Sequence, residues 1–458
     1  MFPSAFQSQM QTLLGTEYKA FEKAYETKGP VSIRFNPDKN KSSVKQAPVP
    51  WTSYGSYLES RPVFTLDPSF HAGAYYVQEA SSMFLEQAFR QHVDLSASLN
   101  ILDLCAAPGG KSTHIASLIN DQSLLVSNEV IKSRAYILKE NLQKWGKSNV
   151  VVTHSDPERF SALKSFFDVI VVDAPCSGEG LFRRDEEAMK EWSPENVQLC
   201  VSRQQRILEA VWPCLKPEGI LIYSTCTFNT NEDEQNIDWL LREQEAESLL
   251  LQSPSEWGIT EVSSEAGGKG YKFFPHKTKG EGFFISIVKK KTGEEYIFKS
   301  RKMKNPFTVL SKETEAETKD WLKNTSLKKI LFGEQLLALP SGKLDEIIYL
   351  TNHLHIVSCG LELAELKKKN CVPAPSLALS VDLAQEFFPR IELDYQQALR
   401  YLAKENFDIE LPEGDWILAC YKGLPMGWLK KINNRFNNYY PVEWRIRMNI
   451  GEAKEFEL

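Results

Sequence analysis

Two cysteines stand where chemistry is possible: Cys176 in VVDAPCSGEG and Cys226 in IYSTCTFNTNEDE. Each closes an apolar, strand-like run and opens into a polar, turn-rich loop, which brings both to one edge of a sheet. The other six, Cys105, Cys200, Cys214, Cys359, Cys371 and Cys420, read as the small buried hydrophobes that most cysteines are. Acids close four consecutive runs on that edge: Asp103, Glu129 after Asn128, Asp156 after Ser155, and Asp173. Any one of them alone fits a solvated loop acid. Together they point to one ligand lying across the carboxyl ends of the strands. Glu129 is placed to accept from both hydroxyls of a ribose, and Asp156 from an adenine amino group. A ribose, an adenine and a cationic amino-acid end are the parts of S-adenosylmethionine.

The segment ILDLCAAPGGKSTHIASL (101–118) reads as a strand, a tight turn and a helix start. Ala106, Ala107, Gly109 and Gly110 let backbone approach a ligand closely, and Pro108 stiffens the turn. The free N–H groups of the helix start would face that ligand. Neither G-x-x-x-x-G-K-[ST] nor G-x-G-x-x-G is present, so a triphosphate loop and a dinucleotide fingerprint are poor matches.

These groups need a scaffold, and its outline is visible. Apolar runs NILDLC (100–105), LLVSN (124–128), NVVVT (149–153), FDVIVVD (167–173), GILIYSTC (219–226) and GFFISIV (282–288) alternate with amphipathic stretches such as IKSRAYILKENLQKW and SRQQRILEAVWPCL. That alternation predicts an α/β fold, a parallel sheet with helices on both faces. The chain has 458 residues, 54 Lys and Arg against 60 Asp and Glu, and a net charge of −6. With 42% hydrophobic residues it is ordinary globular protein, not a disordered or collagen-like chain. No window approaches the ~18 uninterrupted apolar residues of a membrane span. The start, MFPSAFQSQMQTLL, lacks the basic and apolar segments of a signal peptide. The absence of C-x-x-C pairs argues against structural zinc and a disulfide framework, and a reducing cytoplasm fits best. No metal is expected.

Four regions are expected: 1–90, an α+β region; 91–290, the α/β core; 291–400, a linker and intermediate domain; and 401–458, a small β domain. The linker segment KKKTGEEYIFKSRKMK carries seven basic residues against two acidic ones. It fits either a solvated linker or a phosphate-contacting strip. In WILACYKGLPMGWLKKINNRFNNYYPVEWRIR (416–447), Lys422, Lys430, Lys431, Arg435, Arg445 and Arg447 face one acid, Glu443. Trp428, Phe436, Tyr439, Tyr440 and Trp444 are interleaved. Such a pattern suits a β module that meets RNA, and equally a terminal module with an aromatic core.

DLCAAPGGK, DAPCSGEG and YSTCT, in this order, resemble the RNA (cytosine-5)-methyltransferases of the NOL1/NOP2/Sun family, and YVQEASSMF (76–84) resembles the segment before their cofactor domain. The match covers about residues 30–290. The remainder, with GLPMGWLKK, is similar to the bacterial small-subunit rRNA methyltransferases of the F type, which append a PUA-like RNA-binding domain. Thr227 stands where many members have Ser, and Pro157 where Ala is common. The resemblance implies a Rossmann-like S-adenosylmethionine-dependent core, flanked by an N-terminal RNA-binding region and C-terminal RNA-binding domains. It implies that Cys226 is the nucleophile, adding to cytosine C6, and that Cys176 assists product release. Asp173 would hydrogen-bond the cytosine edge, and Lys111 would stand beside the reacting centre, where a cation favours a thiolate. The donor would lie against Cys105, Ala106, Ala107, Pro108, Gly109, Gly110, Lys111, Glu129, Asp156 and Asp173. Arg34 and Asn36 in SIRFNP match a family segment near the RNA and fit a structural role equally well, and Lys422, Lys430, Lys431 and Arg435 are the expected RNA contacts of the C-terminal domain.

The expected activity is therefore methylation of cytosine C5 in 16S rRNA, free or in the small subunit. A tRNA cytosine-5 methyltransferase and a non-catalytic rRNA-binding assembly factor are the alternatives. Nothing in the sequence demands more than a monomer or a membrane.

Overall fold

A computed structural model describes residues 2–39, 47–296, 303–367, 370–433, 435–451 and 453–456. Part of the basic linker segment, 297–302, lies outside the described residues.

The centre is a ten-stranded mixed sheet. Asn100–Asp103 lies in its middle, with Leu124–Asn128 and Val150–Thr153 following on one side and Phe167–Asp173 and Leu215–Thr225 on the other. All five are parallel. Neighbouring residues send side chains to opposite faces, as the pleat requires. Ile101, Leu125, Val171 and Ile222 pack with Ile115, Leu138 and Trp145 of the helices Gly110–Leu118 and Lys132–Trp145. Leu102, Val126, Ile170 and Leu221 pack with Ile207, Leu208 and Val211 of Pro194–Val211 and with Ile237 and Leu240 of Glu234–Glu243. The chain adds strands on one side of Asn100–Asp103, then returns to add strands on the other. In α/β sheets it is at such a reversal of strand order, in the crevice at the carboxyl edge, that ligands bind.

Two features differ from an all-parallel reading. Phe283–Lys290 runs antiparallel to Leu215–Thr225, because it is reached through antiparallel pairing with Lys269–Phe273 rather than by a helical crossover. The far edge strand, Ile356–Cys359, comes from beyond residue 290 and pairs antiparallel with Val150–Thr153. The helix before it, Leu344–His353, buries Ile347 and Leu350 in the same core cluster as Phe166 and Phe167. No helix among the described residues is long and apolar enough to cross a membrane.

Around this sheet lie smaller units. At the N-terminus, helices Ser4–Leu14 and Tyr18–Ala24 precede a three-stranded antiparallel sheet centred on Val31–Phe35. Phe6, Met10 and Phe21 of the helices join Phe182, Trp192, Phe228 and Phe274 in one aromatic cluster, so the N-terminal helices pack behind the loops that follow the two cysteines. The C-terminal four-stranded sheet is built around Trp416–Tyr421 and Leu424–Ile432. It packs back onto the N-terminal region: Ala72 shares its core, Tyr395 Oη donates to Leu66 O, and Tyr440 Oη meets His71 Nδ1 at 3.3 Å.

Candidate active site

The sheet register delivers the reactive groups side by side. Along the carboxyl edge stand, in order, Cys226, then Asp173 and Cys176, then Asp103 and Cys105, then Glu129, then Asp156. Asp173 is in register with Ser224 on the adjacent parallel strand, so the loops that follow begin level with each other. Backbone bonds carry the pairing past the strands: Ala174 N donates to Ser224 O, and Ala106 N to Asn128 O.

The two cysteine sulfurs lie 3.1 Å apart, and Cys226 N donates to Cys176 Sγ. Both are free thiols. The hydrogen bond to Cys226, burial, and the negative fields of Cys226 and Glu232 push the Cys176 thiol well above the ordinary thiol range. Cys176 therefore stays S–H at neutral pH and can donate to its partner.

Asp173 is held at both oxygens. Its Oδ1 accepts from Ser224 Oγ at 2.7 Å, and its Oδ2 is 2.7 Å from Lys111 Nζ. Lys111 also lies over the Phe283 ring, 5.1 Å from its centroid. A cation, a carboxylate and two thiols thus share one end of the sheet.

Beside them is the small-residue turn. Gly109 has φ +118°, a left-handed conformation that favours glycine, and it starts the helix Gly110–Leu118. Arg134 donates to Ala107 O and pairs with Glu129 Oε2, while Asn141 donates to Pro108 O. Glu129 is buried and its Oε1 accepts from Ile131 N. Asp103 is fully buried, and burial pushes its carboxyl up to about 7, with Ser112 and Lys111 opposing and Asp173 and Glu129 reinforcing. Its Oδ2 accepts from Ser112 Oγ, but its Oδ1 has no partner. A buried acceptor left open beside two further acids calls for a cationic ligand. Glycine-permitted backbone approach, an open helix N-terminus and this acceptor fit the methionine end of S-adenosylmethionine, and Glu129 fits its ribose.

Residues 91–289 match the family described as 16S rRNA methyltransferase RsmB/F. Residues 2–80 match the N-terminal domain of 16S rRNA methyltransferase RsmF, and 388–446 the methyltransferase RsmF PUA domain. The ribosomal RNA small subunit methyltransferase F of Shewanella loihica is 32% identical, over 86% of this chain and 82% of its own. The chain belongs to the small subunit rRNA methyltransferase F family. The namesake of Erwinia tasmaniensis is 31% identical over 96% of both chains. Among solved structures, a methyltransferase homolog from Pyrococcus horikoshii superposes with TM-score 0.54 and 29% identity, over 63% of this chain and 95% of its own. NSun6 of the same organism, at 20% identity and TM-score 0.53 over 64% and 99%, shares the fold.

A member of this family is an S-adenosylmethionine-dependent RNA methyltransferase, and its C-terminal sheet is a PUA domain. Not every expected site residue lies where an RNA contact would. Arg34 and Asn36 are fully buried. Arg34 donates to Gln78 Oε1 and Thr113 Oγ1 and stacks 4.5 Å over Trp145. Asn36 Nδ2 donates to Gly73 O and Trp145 O. They bind the N-terminal sheet to the helices behind the cofactor turn, because β alternation along SIRFNP turns them inward. Of their two expected roles, burial and these contacts favour the structural one. In the PUA domain Trp428 and Tyr440 are core residues, while Arg435 is exposed. Lys422 pairs with Glu455, Lys430 lies over Trp416, and Lys431 donates to Pro412 O. Asp156 caps its own short helix by accepting from Glu158 N. Sequence reasoning passed over Glu179, Glu232, Arg134 and Ser224, although each stood inside a quoted segment: Glu179 in DAPCSGEG, Glu232 in NEDE, Ser224 in YSTCT and Arg134 in IKSRAYILKENLQKW.

Proposed function

We propose that this enzyme methylates C5 of a cytosine in 16S rRNA through a transient covalent bond between Cys226 Sγ and C6. The observation that carries the proposal is the 3.1 Å approach of Cys176 Sγ to Cys226 Sγ, beside Asp173 and Lys111. C5 of cytosine is a poor nucleophile until a thiolate adds to C6 and makes the ring enamine-like. Cys226 has the Cys176 thiol as an immediate neighbour, and a nucleophilic thiol of this kind is activated by adjacent polar groups. Asp173, fixed by Ser224 and Lys111, would accept from the exocyclic amine and hold the ring edge. The bound S-adenosylmethionine supplies the methyl group as an activated sulfonium. After transfer the C5 proton is lost and Cys226 must leave as a thiolate. The Cys176 S–H stabilises that leaving group, which is a physical basis for its role in release. The base has to leave any stack to enter the crevice.

The 16S substrate is supported by the family match and by the PUA domain, with Lys430 and Arg435 as its contacts to phosphate. A non-catalytic assembly factor would have no use for the four reacting groups. The test offers small subunits, free 16S rRNA and tRNA with methyl-labelled S-adenosylmethionine, followed by nucleoside analysis. Labelled 5-methylcytidine from 16S rRNA or subunits is expected, and its loss in Cys226→Ala with RNA binding kept. Label in tRNA alone, or another labelled nucleoside, would overturn the substrate or the chemistry respectively.

A further inference from the structure

The loops that carry the two cysteines are tied together by two buried carboxylates, one from each loop. Glu232, on the Cys226 side, reaches back: its Oε1 accepts from Ser177 N at 2.9 Å and from Gln204 Nε2 at 3.0 Å, and its Oε2 accepts from Ser177 Oγ. Glu179, on the Cys176 side, reaches forward: its Oε2 accepts from Phe228 N at 3.1 Å. Its Oε1 accepts from Trp192 Nε1 and Asn229 Nδ2. Between them, the hydroxyls of Ser177 and Thr227, the residues directly after the two cysteines, meet at 3.0 Å. Gly180 N closes the arrangement on Cys226 O at 2.8 Å. Both glutamates are fully buried.

Two buried like charges near each other are an expensive way to close a loop. Burial and the field of Glu179 both push the Glu232 carboxyl up, against the donors of Ser177 and Gln204. Backbone pairing or apolar contact would hold the loops at less cost. What carboxylates add is direction. Each oxygen pair accepts several N–H and O–H donors at once and so fixes the loop at more than one atom.

We propose that Glu179 and Glu232 are positioning residues, forming a reciprocal clamp through which each cysteine loop fixes the other and sets the contact between Cys176 and Cys226. Neither touches the cytosine; both act through Ser177 and Phe228. The N-terminal region is part of the device. Gln9 Nε2 donates to both oxygens of Glu179, and Gln9 Oε1 accepts from Asn229 Nδ2. The inference rests on the two-cysteine reading above.

The test uses the full chain with Glu179→Gln and Glu232→Gln, which keep the shape and remove one acceptor oxygen each. The first readout is trapping of the Cys176–Cys226 disulfide by diamide, which takes up the two thiol hydrogens; it reports geometry without RNA. The second is the split between kcat and KM for S-adenosylmethionine. We expect trapping about 10-fold slower and kcat about 100-fold lower, the cost of a misplaced reacting group, with KM within about twofold. Should either variant fail to fold, Ser177→Ala is read the same way and is expected to show the same two changes at smaller size. Trapping or kcat equal to wild type in a folded variant overturns the clamp. Methyl transfer that survives in Cys226→Ala instead overturns the reading beneath it.

Discussion

Lys111 Nζ lies 2.7 Å from Asp173 Oδ2, joining the first helix after the cofactor turn to the strand that leads to Cys176. The same carboxylate is held at Oδ1 by Ser224, which precedes the Cys226 loop on the neighbouring strand. One acid therefore links the donor side of the crevice to the base side. Lys111→Met leaves Asp173 without its cation; Asp173→Asn removes the charge and keeps the Ser224 contact. Each is expected to lower kcat by about 10- to 100-fold. Because they act through one pair, the double variant should lose far less than the product of the two losses. Single-turnover methyl transfer on the four proteins measures this, and multiplicative losses would show that the pair does not act as a unit.

Asp103 makes donor binding depend on pH. Its carboxyl is raised to about 7 by burial, so the free protein holds a proton there that the unfolded chain, with an ordinary carboxyl, has already lost. Stability of the free protein should fall as pH rises from about 4 to about 7, where the unfolded state binds fewer protons. A cationic ligand at the open Oδ1 favours the ionised form, so affinity for S-adenosylmethionine should rise over about pH 6 to about pH 8. Isothermal titration across that range is the measurement. Asp103→Asn should bind more weakly and flatten the profile; a flat profile in the wild type would place the ammonium elsewhere.

Arg34 allows its two expected roles, structural and RNA-binding, to be told apart. Burial holds its pKa down to about 9, and its guanidinium is spent on Gln78, Thr113 and the Trp145 face. Arg34→Met leaves those acceptors unpaired inside the protein, a loss of about 3 kcal/mol. Thermal melting should show it. RNA affinity of the folded variant, and its salt dependence, should be unchanged, whereas Lys430→Ala or Arg435→Ala should each lower the salt slope by about 1. A reduced slope in Arg34→Met would return that residue to the RNA surface.

The strands were legible because each is an apolar run ending in a polar turn. LLVSN and FDVIVVD coincide with Leu124–Asn128 and Phe167–Asp173. The cofactor turn was legible because glycine and alanine cluster there for one reason, close backbone approach. Pairing direction was not, since periodicity in GFFISIV is the same whichever way its neighbour runs. Nor was Ile356–Cys359, whose membership of the central sheet is a contact across some two hundred positions of chain, with Ser155 Oγ accepting from His355 N. Glu179 and Glu232 escaped for a related reason. A glutamate in a polar loop looks solvated until the opposite loop is seen to supply its donors.

His71 couples the N-terminal region to the PUA domain and should make their contact sensitive to acid. Its Nε2 meets Thr65 O at 2.9 Å and its Nδ1 meets Tyr440 Oη at 3.3 Å, within a buried cluster. Burial first, then the charge of Lys144, push its pKa down to about 3. A histidine depressed in the fold and ordinary when unfolded binds its proton only on unfolding over the interval between. Stability should thus be full above about pH 6.5 and fall as pH drops, by about 2 kcal/mol at pH ~5 from this group alone. His71→Gln can keep the contact with Thr65 O and cannot titrate. Melting temperatures of the two proteins at neutral and mildly acid pH are the measurement, and the variant should lose less on acidification. An equal loss in both would move the acid sensitivity to another buried histidine, of which His114, pushed down to about 4 by burial, is the alternative.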